Sequence, residues 1–109
     1  MLTSQLFRGN QALQAALVND ASHITIGSRG EHVRLIQRAL THLGDRSISG
    51  AEYAKATYGP TTAGAVLRFK TDRKIINTAY QKSADNIVGK MTVQALDTEM
   101  ARFEIMPAA

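Results

Sequence analysis

The sequence predicts an all-α domain with three main helices, an extra N-terminal helix and short extended links between them. Apolar residues recur at helical spacing in three segments. A pattern of glycine, threonine and alanine occurs twice, 30 residues apart, and each copy is typical of a helix start. The chain has 109 residues and no cysteine, so we expect a single core held together by packing alone.

The N-terminal segment predicts a short helix over residues 10–18, with Asn10 as its cap. The HITIG segment that follows has isoleucines at alternate positions, which predicts a short extended link. We expect residues 1–23 to form an N-terminal helical extension, 24–103 the main domain and 104–109 a frayed tail. The apolar face of the first helix is expected to consist of Ala12, Leu13, Ala16 and Leu17.

The segment GSRGEHVRLIQRALTHLGD predicts the first main helix. Ser28 and Glu31 have the spacing of a capping box, and Gly44 stands where a left-handed C-terminal residue is favoured. Residues 45–56 show no clear period, so we expect a loop there. The apolar stripe of this helix is Val33, Ile36, Leu40 and Leu43.

The repeated pattern lies in YGPTTAGAV, residues 58–66, and VGKMTVQAL, residues 88–96. Both copies read G-x-x-T-x-x-A-(V/L). The glycine permits a tight turn, and we expect the threonine hydroxyl to reach back to the backbone of that turn. Pro60 suits the first position of a helix. The expected inward faces are Thr62, Ala65, Val66 and Phe69 in one helix, and Thr92, Ala95, Leu96, Met100 and Phe103 in the other.

These segments together resemble the peptidoglycan-binding-like domain family. Its pattern is G-x-x-G-x-x-V-x-x-(L/I)-Q-x-x-L-x-x-L-G, then G-x-x-T-x-x-A-V-x-x-F-Q, and then G-x-x-T-x-x-A-L. The match covers residues 24–100, with three pieces in the same order. The matching positions are Gly27, Gly30, Val33, Ile36, Gln37, Leu40, Leu43 and Gly44, then Gly59, Thr62, Ala65, Val66 and Phe69, and last Gly89, Thr92, Ala95 and Leu96.

The resemblance implies a compact three-helix bundle of peptidoglycan-binding-like type that serves as a non-catalytic targeting module. Members commonly carry Asp-Gly ahead of each G-x-x-T and a glutamine after the phenylalanine. Here the first loop inserts AEYAKAT, the second loop reads ADNIVG, and Lys70 replaces the glutamine. The front end, LFRGNQAL followed by I-x-x-G-S-x-G-E-x-V, is similar to versions of this domain in secreted toxins and contractile injection systems.

The first 20 residues contain no continuous apolar run, so we expect no Sec signal peptide there. With the resemblance, this favours the bacterial periplasm or cell envelope, or secretion by a non-Sec route. No apolar run approaches the length of about 18 residues that a membrane span needs, so we expect no membrane partner.

Four residues are candidates for binding peptidoglycan or a muropeptide. The Tyr58 ring could stack on a sugar or form the edge of the core, and both roles stay open. Arg68 could pair with a peptide carboxylate, although a basic residue on a helix more often faces solvent. Asp85 and Asn86 could bind amide groups, although such residues before a glycine are more often turn formers.

No catalytic chemistry is predicted. His23, His32 and His42 do not stand at the spacing of a zinc motif, and the sequence has no nucleophile elbow or phosphate loop. We therefore expect a protein that is not an enzyme, with no catalytic residues, no metal and no cofactor.

The sequence is compatible with three classes of partner. The first is bacterial cell wall, with a muramyl peptide or glycan as ligand. The alternative is a protein-docking adaptor of the same fold, in a secreted effector or on the spike or cargo of an injection system. A nucleic acid ranks lowest: the net charge is only +4, Asp72 interrupts the basic residues Lys70, Arg73 and Lys74, and the helices lie far apart along the chain. We expect these three basic residues to lie on a solvated helix face.

Overall fold

The computed structural model describes residues 2–18, 23–76 and 85–105, which form five helices and no strands. The all-α prediction is confirmed. In the described ranges, no helix combines the length and the apolar character that crossing a bilayer requires. The helices are α1 (Gln11–Val18), α2 (Glu31–His42), α3 (Gly50–Ala54), α4 (Pro60–Asp72) and α5 (Lys90–Ile105).

The extended link before α2 organises the other helix starts. Ile24 forms an isolated antiparallel bridge with Val88, two residues before α5, through hydrogen bonds of 2.9 and 2.8 Å. Arg29 forms a second bridge with Thr57, shortly before α4. One short segment therefore brings the N-terminal ends of α2, α4 and α5 together.

The repeated pattern forms part of the core. The residue before each glycine, Tyr58 or Val88, is buried, and so are Thr62 and Thr92. All four predicted inward residues of α4 are buried, which confirms that face. On α5 the prediction is wrong for Phe103, whose side chain is 42% exposed because it lies beyond the last buried turn at Met100. Ala12 of α1 is likewise exposed.

The N-terminal segment belongs to the same core as the main helices. The buried carboxylate of Asp97 on α5 accepts hydrogen bonds from the backbone N–H groups of Thr3 and Ser4, at 2.8 to 3.0 Å. Glu104 accepts from the next two backbone N–H groups, at 2.8 and 3.0 Å. Helix α1 then packs against α5. Of the tail predicted over residues 104–109, the first two belong to α5, and residues 106–109 lie outside the described residues.

The predicted helix caps are right in two cases and wrong in one. The Asn10 carboxamide accepts from the N–H of Leu13 at 3.0 Å, and Gly44 has the expected positive φ of 114°. The capping box of Ser28 and Glu31 is absent. The bridge made by Arg29 keeps the chain extended there, so Gly30 is the N-cap. The Ser28 hydroxyl accepts a hydrogen bond from the Thr25 N–H instead.

Helix α3 lies in the segment that was predicted to be a loop. A serine and a glutamate three residues apart start it: Ser49 Oγ accepts from the N–H of Glu52 at 3.2 Å. Five residues are too few to show a helical period in a sequence, and the helix buries none of its residues. Its short length and exposed surface explain why periodicity missed it.

Glu52 also caps the next helix. Its carboxylate accepts from the backbone N–H groups of Gly59, Thr61 and Thr62, at 3.1, 2.9 and 2.9 Å. The Thr62 hydroxyl donates to the same carboxylate at 2.7 Å, so its predicted bond to the turn backbone is wrong. A Cβ at position 59 would lie 2.6 Å from Cδ of Glu52, so a larger residue there would displace the carboxylate that caps α4.

Candidate functional site

The structure separates the four predicted binding residues into two groups. Tyr58, Asp85 and Asn86 lie with Lys70, and we call these four residues the Tyr58 cluster. Arg68 contacts the segment after α2 instead. Residues two positions apart on a helix point about 200° apart, so Arg68 and Lys70 face different sides of α4.

Tyr58 is a core residue with 1% of its surface exposed. Its hydroxyl donates a hydrogen bond to the backbone carbonyl of Asn86, which fastens the link before α5 to the core. Burial raises the pKa of Tyr58 above its ordinary value of 10.0, and the nearby charge of Asp85 raises it further. The ring has no free face for a sugar, so the predicted stacking role is wrong.

Lys70 is buried, so the solvated position predicted for it is wrong. Its ammonium group donates to the carboxylate of Asp85 and, at 2.8 Å, to the carbonyl of Ile87. Asp85 also accepts from the Ile87 N–H at 3.1 Å. These bonds hold residues 85–87 against α4, as expected of turn formers, and ligand binding by Asp85 and Asn86 stays a prediction.

Arg68 lies at an open cleft of about 580 Å³ between the end of α2 and one face of α4. Buried side chains of both helices, including Leu40 and Phe69, contribute its apolar part. We call this site the arginine cleft, and its polar lining consists of Asp45, Arg46, Ser47, Arg68, Asp72 and Arg73.

Arg68 is fixed at the cleft by the turn that follows α2. Its Nε lies 3.0 Å from Oδ2 of Asp45, and its Nη2 donates to the hydroxyl of Ser47. Partial burial acts to raise the pKa of Asp45, but hydrogen bonds from Arg68 and Ser47 outweigh it and lower that pKa. The Arg68 side chain remains 54% exposed, so its guanidinium still faces solvent while being held in one place.

The other two arginines of the cleft differ in their surroundings. The Arg73 guanidinium lies 4.0 Å from the centre of the Phe69 ring and is bound by the carboxylate of Glu99. The hydrogen bond to Glu99 raises the pKa of Arg73. Arg46 is exposed and makes no hydrogen bond or ion pair with the part of the chain that the structure describes. It is therefore free to meet a ligand.

The arginine cleft is suited to binding carboxylates. Arg68 and Arg73 are paired with Asp45 and Glu99, so the groups available to a ligand are the unpaired Arg46 and the exposed part of Arg68. Guanidinium groups bind carboxylates through paired N–H donors. The Ser47 hydroxyl is already engaged, since it donates to Asp45 and accepts from Arg68. Within the described ranges, no group of three or more His, Asp or Glu residues is placed to hold a metal ion.

Sequence reasoning found Arg68 but missed its two partners. Asp45 and Ser47 lie in the segment that was assigned to a loop, directly after the helix-ending Gly44. The carboxylate of Asp45 accepts from the Ser47 N–H at 2.9 Å, a side-chain turn that the residue types favour. That local signal was present, but nothing in the sequence linked it to Arg68, 23 positions away.

Comparison of the chain with models of protein families, with curated proteins and with solved structures found no match.

Proposed function

We propose that this chain is a non-catalytic binding module for bacterial cell-wall peptidoglycan, with the arginine cleft as the site for a muramyl peptide. In this proposal α2, α4 and α5 are the three-helix bundle of the peptidoglycan-binding-like family, preceded by α1. The protein would then act in the bacterial periplasm or cell envelope, or be secreted by a non-Sec route.

The observation that carries the proposal is the contact between two separate pieces of the sequence pattern. Gln37 of the first piece donates from Nε2 to the Thr62 hydroxyl of the second piece, at 3.0 Å. Both residues are fully buried. These two pattern positions thus contact each other in one core, as expected if the spacing of the pattern reflects a shared fold.

The arginine cleft supplies what a wall peptide requires. Its volume of about 580 Å³ lies within the range of small-ligand pockets. Wall peptides end in carboxylates, and Arg68 and Arg46 present guanidinium groups to solvent. Of the four residues predicted as ligand contacts, Arg68 is the one we retain as the principal contact.

The test is retention on purified, protein-free peptidoglycan sacculi at low and moderate salt. We expect the parent protein to be retained at both salt concentrations. An Arg46→Gln, Arg68→Gln double variant should bind about tenfold more weakly, because hydrogen bonds to charged groups contribute about 1.5–3 kcal/mol. Arg8→Gln is the matched control, since Arg8 is exposed and lines neither this cleft nor the core.

The outcomes separate the site from the function. Equal retention of the double variant and the parent would move wall binding away from the arginine cleft. If folded parent protein is not retained at all, peptidoglycan binding is wrong. Loss of all retention at moderate salt would indicate charge attraction without recognition.

The second candidate is a protein-docking adaptor of the same fold, in a secreted effector or a contractile injection system. The observation that favours it is three exposed apolar side chains on α5, Met91 in its first turn and Phe103 and Ile105 in its last, which are 52%, 42% and 82% exposed. Phe103 and Ile105 point to opposite sides of the helix, so each would make a separate contact with a partner. Absence of sacculus binding, together with capture of a defined peptide by α5, would favour this function.

A further inference from the structure

A second cleft, of about 570 Å³, lies where the N-terminal segment, α2 and α5 meet. It shares no residue with the arginine cleft. We call it the phenylalanine cleft, and its lining includes the apolar residues Leu6, Leu35, Met100 and Phe103 and the basic residues Arg38 and His42.

Phe103 gives this cleft a partly exposed aromatic wall. Its ring centre lies 5.3 Å from that of His42, with the two planes inclined by 40°. Met100, one helical turn earlier on α5, is 3% exposed and belongs to the core. The aromatic ring therefore extends an apolar surface that begins in the core, and an apolar side chain placed there would lie against the ring.

Arg38 and Glu104 give the cleft one side chain of each charge, and they differ in their hydrogen bonds. Both oxygens of Glu104 accept hydrogen bonds from backbone N–H groups, those of Gln5 and Leu6. Arg38 is exposed and has no hydrogen bond or ion pair with any residue that the structure describes. The cleft thus presents a free guanidinium beside an apolar surface, which complements a carboxylate.

We propose that the phenylalanine cleft docks a protein partner, through a segment that carries a large apolar side chain next to an Asp or Glu carboxylate. The apolar side chain lies against Phe103 and Met100, and the carboxylate pairs with Arg38. Charge complementarity and the leucine, methionine and phenylalanine lining favour a peptide over a glycan, whose hydroxyl groups would leave the apolar surface uncovered. This proposal does not depend on peptidoglycan binding, since it uses the other cleft, and it deepens the protein-docking candidate, which also rests on Phe103.

The test is titration of the isotope-labelled full chain with three tripeptides that are blocked at both ends. Binding is monitored by NMR, through the chemical shifts of the protein's backbone N–H groups. The probes are leucyl-phenylalanyl-aspartyl, leucyl-phenylalanyl-asparaginyl and glycyl-glycyl-aspartyl. We expect the first to shift the signals of Leu35, Arg38 and Phe103 saturably, with a Kd on the order of 1 mM. The asparaginyl peptide should bind at least about threefold more weakly, because it cannot pair with the guanidinium. The glycyl peptide should bind more weakly still.

Variants assign the contacts. Arg38→Gln should abolish the preference for aspartyl over asparaginyl peptide, whereas Arg8→Gln, an exposed arginine that lines neither cleft, should keep it. Phe103→Ala should weaken the binding of both apolar peptides by about tenfold, because an aromatic contact surface is lost. Leu67→Ala is its control, since Leu67 is also 40% exposed but lies on α4.

Several outcomes would overturn the proposal. One is no saturable shift at the cleft, and another is equal affinity for the aspartyl and asparaginyl peptides. Stronger shifts of the same signals by soluble muropeptides would assign the cleft to cell wall. Shifts of these signals on raising the protein concentration alone would assign it to a second copy of the chain.

Discussion

Replacing Glu52 with glutamine should destabilise the protein and reduce its sensitivity to acid. The carboxylate accepts hydrogen bonds from three backbone N–H groups at the start of α4 and from the Thr62 hydroxyl, with donor–acceptor distances of at most 3.1 Å. Loss of an N-terminal cap typically costs about 0.5–2 kcal/mol. A glutamine keeps one accepting oxygen but turns an NH₂ group toward the remaining donors. We expect the free energy of unfolding at pH 7 to fall by about 1–2 kcal/mol.

The pH dependence follows from the pKa of Glu52. Partial burial acts to raise this pKa, but hydrogen bonds from Thr61 and Thr62 outweigh it and lower the value from 4.5 to about 2. The carboxylate therefore stabilises the fold fully above pH 4.5, and this stabilisation is lost as the pH falls toward 2. A full shift of this size corresponds to about 3 kcal/mol. Because the group is partly solvated, we expect about 1–2 kcal/mol.

The assay is urea unfolding of the parent and of Glu52→Gln at pH 7 and pH 3. The variant should start less stable and lose less stability on acidification than the parent. Glu31→Gln is the control, because the Glu31 side chain is 58% exposed and pairs only with Arg34 at 3.4 Å. That change should stay within about 0.5 kcal/mol of the parent. The reasoning would be refuted if the Glu52→Gln variant had the same urea midpoint as the parent at pH 7. It would also be refuted if the variant lost as much stability as the parent between pH 7 and pH 3.

Three further predictions concern other contacts. Tyr58→Phe should lower the free energy of unfolding by about 1 kcal/mol, through loss of the hydrogen bond to Asn86, yet leave retention on sacculi unchanged; reduced retention by folded variant would contradict the core role. Asp97→Asn should lower the free energy of unfolding, measured with urea, by about 2 kcal/mol and should speed hydrogen exchange of the amides of residues 3 and 4. Unchanged exchange would count against the attachment of these residues to α5. Gly59→Ala should lower the thermal midpoint, with a cost of about 1–2 kcal/mol from crowding by the adjacent carboxylate. Gly64→Ala, where the nearest atom is 3.5 Å away, should stabilise the fold by about 0.5–1 kcal/mol and raise the midpoint, and the reverse order of the two variants would contradict the packing described.

The main helices could be predicted because their buried faces repeat over several turns. The inward face of α4 is an example, since each of its four residues recurs at helical spacing. Short local signals were less decisive. A serine followed three residues later by a glutamate occurs twice, and the copy that starts a helix is the one at Ser49. The copy at Ser28 fails because Arg29 pairs with Thr57, a contact between distant positions that no local pattern contains.

The candidate site was predictable only in part, for a similar reason. Arg68 and Lys70 are both basic residues and lie two positions apart, yet one faces solvent and the other is buried. What decides between them is the position of Asp85 in three dimensions, which allows a buried ammonium group to be paired. The same holds for Tyr58, whose partner is a backbone carbonyl 28 positions along the chain.

The attachment of the first residues to α5 has a consequence for how the protein folds. The hydrogen bonds made by Asp97 and Glu104 join positions 93 to 99 residues apart. Contacts between such distant positions slow folding, because the intervening chain must be ordered first. On the ribosome, the apolar residues Leu13 and Leu17 of α1 emerge before α5, the helix that α1 packs against. Until α5 follows, the newly made chain exposes part of its apolar core and is open to aggregation or to capture by a chaperone.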